Sequence, residues 1–171
     1  MSSLLMRRPD LAELPAAMAA IDLAGPGDAD ALARLLTASF GEPWDAAKVR
    51  SYLLDEPTVS QTFLIRDGDR VVATASARTL PERYPGAGYL HWVAADPEAR
   101  GRGIGREVVL AVLQRFVVEG CTASVLETDD HRLAAIKLYL RLGYVPQYPD
   151  PDHERRWSVI FRALLGPAGS R

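Results

Sequence analysis

The spacing of apolar residues changes period several times along the chain, and each change predicts an element. Met18 to Leu23 reads as a short first strand ended by Gly25-Pro26-Gly27. Asp28 or Asp30 then caps a helix running to about Phe40, with Ala31, Leu32, Leu35, Leu36 and Phe40 on its apolar side. Gly41-Glu42-Pro43 breaks that helix, and Asp45 to Leu54 predicts a second one, with Trp44 at its start and Glu56-Pro57 closing it. The period then shortens to two. Gln61 to Arg66 and Arg70 to Thr79 predict an antiparallel hairpin turning at Asp67-Gly68-Asp69. Pro81 to Gly88 is a loop.

The central stretch, Tyr89 to Arg106, changes character twice. Tyr89 to Ala95 is apolar and aromatic, the pattern of a buried strand, and Asp96-Pro97 stops it because proline cannot donate to a ladder. After a Gly-rich turn, Ile104, Val108, Val112 and Phe116 recur at helical spacing beside Val109 and Leu113, which predicts an amphipathic helix lying on a sheet and ended by Gly120. Ala123 to Glu127 predicts another strand. Asp130 or His131 begins a helix with Leu133, Ile136 and Leu140 on one side and Ala135, Tyr139 and Leu142 beside them, stopped by Gly143. Tyr144 to Tyr148 and Arg156 to Phe161 are the last strand candidates, joined by the polar run PDPDHERR. The order β-α-α-β-β-β-α-β-α-β-β implies an α/β fold with a mixed sheet and helices on both faces. The strands around Val93 and Val125 are expected to be parallel, since a long helical segment connects them.

Composition narrows the partners more than the fold. The 171 residues, 48% hydrophobic, suit one domain, placed at 18–163 after an extension at 1–17, where Leu4 to Met6 makes a loose start, and before a tail at 164–171. A net charge of -2 gives no broad basic field for nucleic acid. With no apolar run long enough to span a bilayer and no secretory segment, the expected setting is cytoplasmic, with no membrane partner. Three scattered histidines and one cysteine do not make a metal site.

The chemistry concentrates between the central strand and its helix. Gly101, Gly103 and Gly105 alternate with Arg100, Arg102, Ile104 and Arg106 just before the first helical turn. The amides of a helix's first turn have no intrahelical acceptor, and missing Cβ atoms let a phosphate approach them. The arginines add charge-assisted donors. A dinucleotide-binding G-x-G-x-x-G beginning at Gly101 would need glycine where Arg106 stands, and the Gly-Lys-Ser/Thr of a nucleotide-triphosphate loop is absent.

These residues resemble the GCN5-related N-acetyltransferase (GNAT) family. Arg100-Gly101-Arg102-Gly103-Ile104-Gly105 matches its pyrophosphate motif, preceded by the strand-loop pattern Val93-Ala94-Ala95-Asp96-Pro97. A second signature is matched by Ala135-Ile136-Lys137-Leu138-Tyr139-Leu140-Arg141-Leu142-Gly143-Tyr144. The phrase LETDDHRLAAIKLYLRLGY is also similar to the cofactor-binding half of mycothiol synthase-like proteins. Those carry two tandem acetyltransferase domains, whereas this chain has room for one. The resemblance implies a mostly antiparallel sheet whose two central parallel strands splay apart, and acetyl-CoA as cofactor. Its diphosphate would lie over the amides of Arg102 to Arg106, and its pantetheine arm along Val93, Ala94 and Ala95. Tyr139 matches the tyrosine near the CoA sulfur, a general acid for the leaving thiolate. Arg132 stands where the family often has an asparagine contacting the cofactor arm.

Acetyl transfer to an amine needs a neutral nucleophile, a polarised acyl oxygen and a proton for the thiolate. Tyr139 can supply the proton and the backbone near Val93 to Ala95 the polarisation; core packing with an incidental hydrogen bond is the alternative for Tyr139. For the base, His91 shares a face with Val93 by strand alternation, Glu127 and Asp129 are alternatives, and an amine that arrives neutral needs none. His131 reads as a residue at the start of a helix, His153 as a solvated loop residue, and Cys121 as a small packed residue. Among Trp44, Tyr52, Tyr84 and Trp92, the resemblance favours Trp44 and Tyr84 for acceptor binding. The expected activity is transfer to a small or amino-acid-like primary amine. A peptide amino group, or a non-catalytic acyl-CoA sensor, is the alternative, and a homodimer is common among such proteins.

Overall fold

Between Ala29 and Gly143 the elements follow the expected order, but the strand expected at Met18 to Leu23 spans only Asp22–Leu23, and the largest departures fall at the ends of the chain. In the computed structural model, which describes residues 3–166, the elements are β1 (Leu4–Arg8), β2 (Asp22–Leu23), α1 (Ala29–Phe40), α2 (Ala46–Val49), β3 (Val59–Asp67), β4 (Arg70–Thr79), β5 (Ala87–Ala95), α3 (Ile104–Val118), β6 (Ala123–Thr128), α4 (Leu133–Arg141), β7 (Val145–Pro146) and α5 (Pro151–Leu165). A π-helical turn, Arg50–Leu54, follows α2 directly. The fold is mixed α/β, with a central sheet and flanking helices. Contacts divide the chain into two units: Asp10–Ser124, and the residues up to Pro9 together with those from Val125 onward.

In the larger unit, β2, β3, β4 and β5 pair antiparallel in that order. The hairpin turns at Gly68, whose φ of 60° is the left-handed conformation a two-residue loop requires, and sets Asp67 opposite Arg70. One face carries α1 and α2: Leu32, Leu36, Val49 and Leu53 pack with Leu64, Val71 and Ala94. The other carries α3. There Gly88 lies so close beneath Phe116 that a Cβ would stand 2.2 Å from the ring, so the helix settles on β5 only because that position has no side chain. Leu110, Leu113 and Phe116 are fully buried, each contributing roughly 1.5–3 kcal/mol of apolar burial.

In the smaller unit the strand order is β6-β1-β7. Residues 4–8 are strand rather than the loose start expected from sequence. Leu4 and Met6 alternate with Leu5 and Arg7, both are fully buried, and Met6 pairs with Pro146. Two apolar positions beside Arg7-Arg8-Pro9 are too weak a signal to stand out. Arg8 Nε donates to the Leu142 carbonyl at 2.8 Å, supplying a cation to the end of α4.

The largest correction is α5. Arg156 to Phe161 is helical, not a strand, and the run PDPDHERR is the helix start rather than a loop. Asp150 caps it by accepting from the His153 amide, Pro151 takes a first-turn position, and Asp152 and Glu154 face the dipole's positive end. Its buried face is His153, Arg156, Trp157 and Ile160 at helical spacing, two of them polar, so hydrophobicity alone hides the period. Arg156 holds Asp130 through two bonds, Nε to Oδ2 at 3.0 Å and Nη2 to Oδ1 at 2.5 Å, and this pair keeps the Asp130 carboxyl below its usual range.

His153 is therefore a buried helix residue, not a solvated one. Nδ1 lies 2.8 Å from Asp150 Oδ1 and Nε2 lies 3.3 Å from the Ser3 carbonyl. Both oxygens accept, so only the imidazolium makes both bonds, and the Asp150 hydrogen bond raises the His153 pKa above 6.5. Its stabilisation is complete below pH 6.5 and is lost as pH rises through the raised value. Chemical denaturation of wild type and His153→Gln across pH 5 to 9 should show the wild type's advantage shrinking as pH rises; an advantage that grew with pH would contradict this.

Candidate active site

The connection from β5 to α3 is built to leave backbone donors open. Asp96 accepts from the Glu98 amide at 2.9 Å and from Arg70 Nη2 at 2.5 Å, fixing a single 3-10 turn, Pro97–Ala99. Arg100 is extended; Gly101 at φ 80° and Gly103 at φ 73° then turn the chain into α3. The N-cap is Gly103, which offers no side-chain acceptor, and the first helical bond runs from the Glu107 amide to the Gly103 carbonyl at 3.2 Å. The amides of Ile104, Gly105 and Arg106 lie ahead of that bond. A Cβ at Gly101 or Gly103 would meet nothing within 4 Å, so the glycines serve the left-handed backbone and the space outside the turn is open.

Two arginines of the turn are engaged with carboxylates: Arg102 Nη1 with Asp67 Oδ2 at 2.9 Å, and Arg106 Nη1 with Glu107 Oε1 at 3.0 Å. Such surface pairs contribute about 0–1 kcal/mol, too little to compete with a dianion bound at a helix N-terminus. Glu107 Oε2 also accepts from the backbone amides of Met18 and Ala19, which lower its pKa and tie this segment to the first turns of α3. An open, uncapped helix N-terminus flanked by three arginines fits a diphosphate.

Eight residues earlier the β5 ladder is interrupted. Thr74 pairs with Ala94 and Ser76 with His91, so Ala75 of β4 faces both Trp92 and Val93. This is a β-bulge, and Trp92 takes φ 46°, which a bulky residue adopts only under restraint. The bulge breaks the alternation assumed from sequence: Ala94, rather than Val93, continues the face on which His91 lies.

That face carries a chain of rings. Trp92 meets Trp44 at 4.7 Å, Phe40 at 5.1 Å, His91 at 5.9 Å and Tyr52 at 6.3 Å, mostly edge to face. Tyr89 continues it from His91 at 5.8 Å, and Tyr84 stacks on Tyr89 at 5.9 Å. The indole N–H groups of Trp44 and Trp92 are buried without a hydrogen-bond partner. Trp44 is only 7% exposed, with Lys48 Nζ 4.3 Å from its ring, although it lines a hollow of about 500 Å³ with Arg34, Thr37 and Asp45. Tyr84 is half-buried, with Arg83 over its ring, while Tyr52 is 47% exposed and presents the freer aromatic surface. No sequence pattern marks Tyr52, because the π-helical turn that exposes it has no local signature.

His91 is 8% exposed and its Nε2 lies 3.2 Å from the Tyr52 carbonyl. Burial, reinforced by Arg78, pushes its pKa down to about 4, so the ring is neutral at physiological pH. In the smaller unit, Tyr139 is 5% exposed, packs edge to face on Tyr144 at 5.9 Å, and is pushed up to about 12 by burial, against the opposing influence of Arg132. Glu127 and Arg132 are half-buried, and Asp129 and His131 are exposed. The Cys121 thiol is pushed up by burial and by Glu119, the opposite of an activated nucleophile. Among the described residues no group of three or more His, Cys, Asp or Glu could hold a metal ion, and no helix is long and apolar enough to cross a membrane.

An open, uncapped helix N-terminus with arginines beside it is the arrangement of an anion-binding turn. Residues 29–144 match the model of the acetyltransferase (GNAT) family, and the chain belongs to that family. It is 34% identical over 119 residues to N-acetyltransferase 8B of Rattus norvegicus, covering 61% of this chain and 52% of that protein. With the mycothiol acetyltransferase of Nocardia farcinica it shares 33% identity over 82 residues, 48% of this chain and 27% of that one. The chain thus spans about half or less of these relatives, and its likeness to the mycothiol enzymes is partial. An acetyltransferase of the GNAT family from Colwellia psychrerythraea superposes with a TM-score of 0.70 at 18% identity, over 85% of this chain and 53% of that one, which shows the shared fold. Membership in the family supports acetyl-CoA-dependent acyl transfer.

Gly103→Val places a β-branched residue at φ 73° and covers the open side of the turn. Calorimetric titration should show CoA affinity falling at least about tenfold, with stability lower by roughly 1–2 kcal/mol. Unchanged CoA affinity would remove the turn from the binding site.

Proposed function

We propose that this chain is an acetyl-CoA-dependent N-acetyltransferase that acetylates a primary amine of a small, amino-acid-like acceptor by direct transfer. The observation that carries the reading is the uncapped N-terminus of α3, whose amides at Ile104, Gly105 and Arg106 and whose neighbours Arg100 and Arg102 form a ready diphosphate cradle. Bound there, acetyl-CoA would supply an activated acyl thioester.

Each remaining task falls to a named group of the chain. The cradle orients the cofactor, with Arg102 and Arg106 exchanging Asp67 and Glu107 for phosphate oxygens. Backbone dipoles of Val93 to Ala95, beside the Trp92 bulge, polarise the acyl oxygen. Tyr139 keeps its proton at every physiological pH and holds it for the departing thiolate. Glu127 is the proposed proton acceptor, acting directly or through water, for an acceptor amine that arrives charged. The aromatic surface of Tyr52, Tyr84 and Tyr89 excludes water and packs against the acceptor's stem. The similarity to an N-acetyltransferase supports nitrogen as the acceptor atom.

Tyr139→Phe separates a proton donor from a packing residue. Thiol release from acetyl-CoA with a panel of primary amines, amino acids and peptides should show turnover reduced about 10²- to 10⁴-fold, with CoA affinity within a factor of about three of wild type. Full turnover by the phenylalanine variant would make Tyr139 a core residue only.

A further inference from the structure

Two irregular segments of the larger unit meet at one side chain. The first is the bulge, where Trp92 holds φ 46°, a left-handed conformation that a bulky residue keeps only when its surroundings hold it there. The second is the π-helical turn Arg50–Leu54, closed by the bond from the Asp55 amide to the Arg50 carbonyl at 2.8 Å. π-Turns are uncommon and cluster at functional sites. This one presents the half-exposed Tyr52 ring, set against Trp44 at 5.8 Å and Trp92 at 6.3 Å. What joins them is the bond from His91 Nε2 to the Tyr52 carbonyl at 3.2 Å. A carbonyl only accepts, so Nε2 carries the hydrogen of this bond, and in the neutral ring that burial favours His91 is the Nε2–H tautomer.

The charged groups facing His91 are Arg78 of β4 and Glu56 ahead of β3. They are tied to each other through Thr58, whose hydroxyl accepts from Arg78 Nε at 2.8 Å and donates to Glu56 Oε1 at 2.7 Å. With Nε2 committed to a carbonyl and the ring buried, His91 is poorly placed to collect protons from an incoming amine.

We infer that His91 is a positioning residue: by donating from Nε2 to the Tyr52 carbonyl it fastens the π-helical turn to the Trp92 bulge, and so fixes the Tyr52 wall of the acceptor site relative to the β5 backbone. The acceptor-site part of this inference rests on the acetyltransferase reading; the fastening does not. Tyr52 then governs how tightly the acceptor is held, and His91 acts through it.

The test compares His91→Leu, which keeps bulk but donates nothing, with His91→Gln, whose amide nitrogen can reach the same carbonyl. The Leu variant should raise the acceptor KM about tenfold or more and leave the acetyl-CoA KM within about twofold. It should also weaken the near-UV circular dichroism of the Trp44–Trp92 pair; the Gln variant should recover most of both effects, and added imidazole should restore nothing. In a Tyr52→Ala background, where an exposed ring is removed, His91→Leu should have little further effect on the acceptor KM. Loss of kcat in both variants with acceptor KM unchanged, rescued by imidazole, would make His91 the base and overturn the inference. Effects that add fully with Tyr52→Ala, or a Leu variant with unaltered dichroism and acceptor KM, would overturn it as well. If wild type acetylates no amine, the acetyltransferase reading fails, and the dichroism of Leu against Gln still decides the fastening.

Discussion

The backbone amides that begin α3 have no acceptor within their own helix, and the functional half of the larger unit is arranged around that fact. A helix N-terminus is normally capped by a serine, threonine or aspartate; here the cap is Gly103, without a side chain and in the left-handed conformation. The helix is compensated elsewhere. Glu107 lies in the first turn near the positive end of the dipole, and Phe116 seats the helix on β5 over Gly88. The open donors suit an outside anion, with arginines nearby that are engaged only in weak surface pairs. The stability of α3 is drawn from its buried face, while its first turn keeps open donors of the kind the proposed cofactor site needs.

The same division of labour separates the buried histidines. His91 is held neutral by burial and donates one hydrogen bond to a carbonyl, whereas His153 faces a carboxylate and a carbonyl, which favour its cationic form. Their linkage to pH has opposite sign. His91 stabilises the fold less as pH falls from 6.5 through about 4, and His153 less as pH rises above 6.5. Neither behaves as a solvated imidazole, and sequence spacing alone gives no warning of either environment.

What was legible in the sequence were features carried by local chemistry. The Gly-Arg turn, the hairpin at Gly68 and the period of α3 each follow from a few consecutive residues, and each stands where expected. What was not legible depends on partners far along the chain. β1 is defined by pairing with β7, and its two buried residues are too few to announce it. α5 hides because its inner face includes His153 and Arg156, whose burial is possible only with Asp150, the Ser3 carbonyl and Asp130 to receive them. The bulge at Trp92 shifts the register of β5 by one residue, which overturns any face assignment made by counting twos from His91 to Val93. Tyr52 is exposed by a π-helical turn that no propensity foretells.

The central claim is that the first turn of α3 holds the cofactor through its backbone amides, and amide-resolved NMR reads those groups directly. Titrating the nitrogen-15-labelled protein with CoA should move the amide resonances of Ile104, Gly105 and Arg106 together, with one affinity that weakens as salt is raised, while pantetheine, which lacks the diphosphate, should leave them nearly still. CoA that binds without moving these three amides, or moves them no more than pantetheine does, would contradict the account.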